Sequence, residues 1–392
     1  MKRLVLIAFA AILLSACTHA ELELRPSEKI SFEVGWYATA TKTGETHHAM
    51  DTTLSFRSRA FLHADDGNGG YYATQDFFGP GMGEEITYVQ RTSASESGSW
   101  QPGISSGKEY FWPFSSSSYI NFICWYDKNG APDTTNLSET SLSWTIDGQT
   151  GEGHRTLQSD DVILYADEAW RYSSNTANSA HYDQDAILIG VPVIFHNALA
   201  QVCFKGKIAD GCEMNGADEA SSTIKYGVTV KAVRLLNVYS TGTLTMTNAD
   251  PELSSRIVPW TVTNDNWVTS GTAAPLEILA IGSDADDKVL TGTVDLCPMT
   301  TVLPQPVNSG MLLTVVWTIT YYRKVNGSWV EFSQENINSS SNLSYIAAVE
   351  AWEMGHRITY TMSFDPTTDT IVFQPSMEDW TDLENSAGVV VE

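Results

Sequence analysis

Leu14-Ser15-Ala16-Cys17 sets one thiol directly behind two small residues and a leucine. A cysteine so placed can take a diacylglycerol through its sulfur, with the peptide cut just before it. Met1-Lys2-Arg3 supplies a positive start, and the eleven residues from Leu4 to Leu14 are all apolar or small. That run is too short to cross a bilayer but suits a signal peptide. The pattern looks like a bacterial lipobox. Residues 1-16 are therefore read as signal peptide and Cys17 as the lipidation site of a membrane-anchored lipoprotein. The other reading is an ordinary secretory signal that happens to contain a cysteine.

Other chemistry is thin. Gly103-Ile104-Ser105-Ser106-Gly107 matches the G-x-S-x-G pattern of serine hydrolases. That pattern works only between a strand and a helix, which hold the hydroxyl in a strained turn. Gly98-Ser99-Trp100-Gln101-Pro102 before it and Lys108-Glu109-Tyr110-Phe111-Trp112-Pro113 after it supply neither element, so a Gly/Ser loop is expected. Asp65-Asp66-Gly67-Asn68-Gly69 and Asp284-Ala285-Asp286-Asp287 are oxygen-rich but lack the later bidentate Glu of a calcium loop, and read as solvated turns. His47-His48 would point to opposite faces of a strand. Cys203 and Cys212 flank a turn-rich stretch and read either as a bridge across a hairpin or as two free thiols. No cofactor fingerprint or zinc spacing occurs. The chain is expected to be no enzyme, with no cofactor and no metal.

Composition narrows the partners. A formal charge of -25 argues against nucleic acid and against a basic membrane-binding patch. With 22 Lys+Arg, trypsin-like proteases have few sites. Twelve Trp and sixteen Tyr would suffice for a sugar-stacking platform, although rings serve more often as core.

The elements that must position these residues are strands. Ile358, Tyr360, Met362 and Phe364 alternate with Thr359, Thr361 and Ser363, and Ile224, Tyr226, Val228 and Val230 alternate with Lys225, Gly227, Thr229 and Lys231. Period two of this kind marks a strand with one buried face. Met311 to Tyr322 reads as a strand covered on both faces or as two strands meeting at a bend. Helical spacing is weak: Ser344 to Met354 allows three turns and Ile194 to Val202 allows two. No β-α-β alternation occurs, so antiparallel sandwiches are expected. The polar stretch Ser173 to Asp185 reads as a connection, which gives domains over 17-185 and 186-392.

Several segments resemble the fimbrillin family of Bacteroidales, the lipoprotein pilins of the type V kind. They are Glu85-Ile86-Thr87-Tyr88, Trp100, Tyr110-Phe111-Trp112-Pro113 and the apolar run Tyr119 to Tyr126. Phe195 to Val202, Trp352 to Thr361 and Ile371 to Trp380 continue the likeness in the same order. The resemblance spans most of residues 80 to 380.

The resemblance implies two transthyretin-like antiparallel β-sandwich domains in tandem, all-β throughout. It implies a structural subunit or tip adhesin of a cell-surface fimbria, first held as an outer-membrane lipoprotein. A trypsin-like maturation protease would remove the N-terminal strand, and related fimbrial subunits would pair through a donor strand. A host or bacterial surface ligand would complete the partners. Ile30 to Trp36 is then the removable strand. Lys42 follows it in a polar loop where the family commonly carries Arg, and Arg57 and Arg59 are the alternative cut sites, inside a segment that itself reads as a strand. Ala387 to Glu392 reads equally as donor strand or as a final sandwich strand. The rival reading is a monomeric outer-membrane lipoprotein that binds glycans.

Overall fold

The computed structural model describes residues 29–36, 51–90, 98–113, 117–150, 154–172, 190–212, 224–248, 257–261, 267–269, 274–279, 287–307, 310–343 and 349–380. Cys17, Lys42, the His47-His48 pair, Asp284 to Asp286, the stretch 173–185 and Ala387 to Glu392 lie outside them.

The architecture is all-β, and no helix stands among the described elements. The first strands are β1 (Phe32–Trp36), β2 (Ser55–His63), β3 (Gln75–Asp76), β4 (Glu84–Val89) and β5 (Ser99–Pro102). They continue with β6 (Tyr119–Asp127), β7 (Ser141–Ile146), β8 (Ile163–Ala166), β9 (Glu168–Tyr172) and β10 (Val191–Asn197). Next come β11 (Ala200–Ile208), β12 (Ile224–Val238), β13 (Gly242–Thr247), β14 (Ile257–Val258) and β15 (Trp267–Thr269). Then follow β16 (Ala274–Leu279), β17 (Lys288–Val289), β18 (Val294–Asp295), β19 (Thr300–Val302) and β20 (Gln305–Pro306). The last are β21 (Leu312–Val325), β22 (Ser328–Asn342), β23 (Ala351–Trp352), β24 (His356–Asp365) and β25 (Thr370–Asp379).

The first ten-stranded sheet runs β14-β9-β6-β8-β10-β1-β5-β4-β2-β3, and β2 also pairs with β6. That extra pairing closes seven strands, β6-β8-β10-β1-β5-β4-β2, into a ring. A closed ring leaves its members no free edge, which removes the liability of unpaired backbone. β6 is buried along Ile120 to Trp125 because it is covered on both faces.

Two sheets dominate the second part, β18-β11-β24-β25 and β16-β12-β21-β22. The alternation in β24 reads out as predicted, with Ile358, Tyr360, Met362 and Phe364 all buried. Of Met311 to Tyr322, all but Met311 lie in one long strand, β21, paired with β22 through a two-residue turn. Asn326 and Gly327 in that turn have φ of 52° and 87°. Positive φ at both positions is what a type I′ hairpin demands, and Asn-Gly meets it at least cost.

The helical expectation for Ile194 to Val202 needs correction, and of Ser344 to Met354 residues 344–348 lie outside the described residues. Ile194 to Val202 spans the end of β10 and the start of β11, and Ala351–Trp352 forms β23. Parallel pairing of β10 with β1 and of β11 with β24 satisfies the backbone there and overrides a weak helical spacing.

The apolar side chains fall into two cores that change over between Leu199 and Ala200. The later strands β13 and β15 return to the first core. β13 pairs with β7 over six residues and delivers Leu244 and Met246 into it, and β15, paired with β13, adds Trp267.

One buried acid makes this first core sensitive to pH. Glu168 on β9 is fully buried, accepts a hydrogen bond from the Asn248 amide, and leaves its Oε1 without a partner among the described residues. Burial, helped by the negative Glu139, raises its pKa to about 8 against the pull of Asn248. An acid whose folded pKa is raised stabilises fully below its unfolded value near 4.5, and that contribution is lost as pH rises through about 8. Stability should therefore fall by a few kcal/mol, roughly 1.4 per pH unit across that window. Denaturant melts of Glu168→Gln between pH 5 and 9 should lack this slope.

Candidate functional site

β1 is a stave of the ring, seated between β10 and β5. On one side it pairs in parallel with β10 over five residues, from Phe32 opposite Val191 to Trp36 opposite Phe195. On the other side, among the described residues, Phe32 stands opposite Trp100 on β5. Just before β1, the Ile30 amide donates to the Tyr110 carbonyl at 3.0 Å, and Lys29 bridges to Phe111.

Period two sends Ile30, Phe32 and Val34 inward, where all three are buried, and leaves Glu33 exposed. Phe32 meets Phe122 edge-on at 5.3 Å and Phe56 edge-on at 6.0 Å between ring centroids. Phe56 in turn touches Trp100 at 5.6 Å and Phe195 at 5.4 Å. These aromatics come from β2, β5, β6 and β10, so an emptied β1 seat would be an apolar slot. Each of the three inward side chains contributes about 1.5–3 kcal/mol by leaving water.

Close approach at the start of β10 depends on Gly190. Its φ is +145°, and a Cβ there would lie 2.8 Å from the Ser31 carbonyl oxygen and 3.0 Å from the Phe32 carbonyl carbon. Only glycine lets β1 settle this near β10. Sequence reading passed over this residue, since the preceding stretch looked like undirected linker.

Arg57 and Arg59 sit inside the sheet. Arg57 is paired on both sides, to Glu85 on β4 and to Trp125 on β6. Arg59 forms an ion pair with Asp76 and donates to the Leu137 carbonyl at 2.6 Å. A protease needs its substrate as extended, unpaired chain, which exposed loops offer and ladders do not. Between Trp36 and Ser55 the one Lys or Arg is Lys42.

The remaining motifs do no visible chemistry. Gly103 to Gly107 is a turn in which the Ser106 hydroxyl donates to the Gly103 carbonyl at 3.3 Å. Asp65 and Asp66 spend their carboxylates on the turn's own amides, those of Gly67, Asn68 and Gly70, at 2.7–3.0 Å. Among the described residues no group of three or more His, Cys, Asp or Glu could hold a metal ion.

Cys203 and Cys212 are both free thiols and stand apart. Cys203 lies mid-way along β11 beside Cys297, while Cys212 follows the strand's end and lies 3.7 Å from Asp365. Five strand residues separate Cys203 from Ile208, roughly 16 Å of rise. A disulfide spans Cα atoms no more than about 7 Å apart, so this pair does not bridge.

The family model described as fimbrillin-like matches residues 38–380, nearly the whole chain. The chain belongs to the fimbrillin-like family. Solved structures similar to this fimbrillin-like chain include a putative cell adhesion protein from Bacteroides uniformis, at 17% identity and a TM-score of 0.43. That match covers 90% of this chain and 98% of the other. A fimbrial protein from Bacteroides vulgatus matches at 14% identity and a TM-score of 0.43, over 90% and 99% of the two chains. The tip fimbrial protein Mfa3 from Porphyromonas gingivalis matches at 10% identity and a TM-score of 0.33, over 90% and 100%. None of the curated proteins compared matches this fimbrillin-like chain.

Proposed function

We propose that this chain is a structural subunit or tip adhesin of a cell-surface fimbria, exported as an outer-membrane lipoprotein through Cys17. A trypsin-like maturation protease cuts after Lys42, β1 leaves, and a donor strand from a related subunit fills the seat. Membership in the fimbrillin-like family supports the fimbrial role. The observation that carries the exchange is β1 itself, an inward-facing stave between β10 and β5 that sends Ile30, Phe32 and Val34 into the core of the ring. Its departure would open the ring at β10 and β5, leaving unpaired amides and carbonyls beside an aromatic slot. A donated strand restores both sets of contacts. Head-to-tail donation produces an open filament. In this reading the lipid is an anchor until cleavage.

Limited trypsin digestion of the full-length lipoprotein is expected to trim the N-terminal piece and yield a ladder of oligomers on mild denaturing gels. Lys42→Ala should block that trimming and the ladder together. Trimmed subunits that stay monomeric would contradict strand exchange, and their retention on a polysaccharide gel would favour the glycan-binding rival.

A further inference from the structure

β11 meets two antiparallel partners along one side. Lys205 faces Asp295 and Gly206 faces Val294 on β18, whereas Ala200, Gln201 and Val202 face Val302, Thr301 and Thr300 on β19. Between the two ladders the Leu296 amide donates to the Phe204 carbonyl at 2.8 Å. This bond extends the β18 register by one residue. One further step sets Cys203 opposite Cys297.

Past the Leu296 bond the chain bends through Leu296 and Cys297 and joins β19 two residues out of step. The bend leaves Cys203 and Cys297 side by side. Disulfides need Cα separations of roughly 4.4–6.8 Å. Cys203 Sγ is 3.7 Å from the Cys297 carbonyl oxygen, and the two residues are only 4% and 6% exposed. Contact between the thiols also lowers the pKa of Cys203 and raises that of Cys297, as expected when one sulfur accepts the other's hydrogen.

We propose that Cys203 and Cys297 are joined by a disulfide in the exported protein, the inference resting on the export reading above. An oxidising compartment supplies the reagent, a thiol–disulfide oxidoreductase carrying an active-site disulfide. Two S–H bonds break and one Sγ–Sγ bond forms, while the oxidant's disulfide takes both electrons and both protons and becomes a dithiol. The cross-link joins residues 94 apart, and a loop that long constrains the unfolded chain strongly. Neither other thiol competes, since Cys124 is buried beside Ser58 and Cys212 lies against Asp365.

Protein taken from the cell envelope with free thiols blocked at lysis by N-ethylmaleimide, then digested with trypsin without reductant, tests this directly. The expected product joins peptide 172–205 to peptide 289–323, two hydrogens lighter than their sum. Finding both peptides alkylated, or 172–205 joined to the Cys212 peptide 208–225, overturns the proposal. If the chain is absent from the envelope, export has failed as a reading. Purified full chain treated with glutathione disulfide then decides the pairing, a link supporting it and free thiols overturning it. Reductant should lower the melting temperature of the wild type by about 5–10 °C and leave a Cys203→Ser/Cys297→Ser double variant unmoved.

Discussion

Phe32→Ala should lower the unfolding free energy of the untrimmed protein by about 3–5 kcal/mol, the usual cost of emptying a buried phenylalanine site. Phe32 is fully buried and packs edge-on against Phe56 and Phe122, rings fixed from two different strands. The slot cannot collapse easily, because its walls belong to a closed ring of paired strands. Urea melts of wild type and variant measure the loss. The same comparison made after N-terminal trimming should show no difference, since β1 has then left. A Phe32→Ala cost that persists unchanged in the trimmed, assembled subunit would mean that β1 stays in place.

Arg155→Ala should cost a comparable 3–5 kcal/mol, for a different reason. The Arg155 guanidinium is paired with Asp127 and lies 3.5 Å from Asp161, and those carboxylates are 1% and 0% exposed. Asp127 also accepts from the Trp144 indole at 3.1 Å, and Asp161 from the Asn129 amide at 2.5 Å and the Gln158 backbone at 2.8 Å. Burial already raises the pKa of Asp127 in spite of Arg155. Removing the cation leaves two buried acids uncompensated, which costs far more than an exposed ion pair is worth. The damage should spread, because the Asp161 carbonyl accepts from Thr301 at 3.0 Å and so ties the first core to β19. Denaturant melts should show the loss, and acidification, which neutralises the stranded carboxylates, should partly relieve it.

Strand content was legible wherever one face of a strand is wet. The alternation in Ile358 to Phe364 puts Ile358, Tyr360, Met362 and Phe364 in the core as expected, although Ser363 on the expected wet face is buried too, and Asn326-Gly327 marks its own hairpin. Ile194 to Val202 was opaque because residues covered on both faces lose the period-two signature, and a short apolar run then mimics a helix. The inward set Ile30, Phe32 and Val34 could be anticipated from alternation, but its partner strands could not. The parallel partner β10 lies more than 150 residues away, and nothing local in β1 announces it. Gly190 and the Cys203–Cys297 juxtaposition were hidden for the same reason, since each depends on a register between distant segments. The Cys203–Cys212 pairing failed because closeness in sequence along a strand is distance in space.

The central claim is that β1 occupies its seat only until maturation. The N-terminal residue of subunits recovered from intact surface filaments tests it most directly, by Edman degradation or by mass of the N-terminal peptide. The account predicts a start at Thr43, directly after Lys42, with residues 29–36 absent. Filament subunits that still begin at lipidated Cys17 and retain β1 would contradict it.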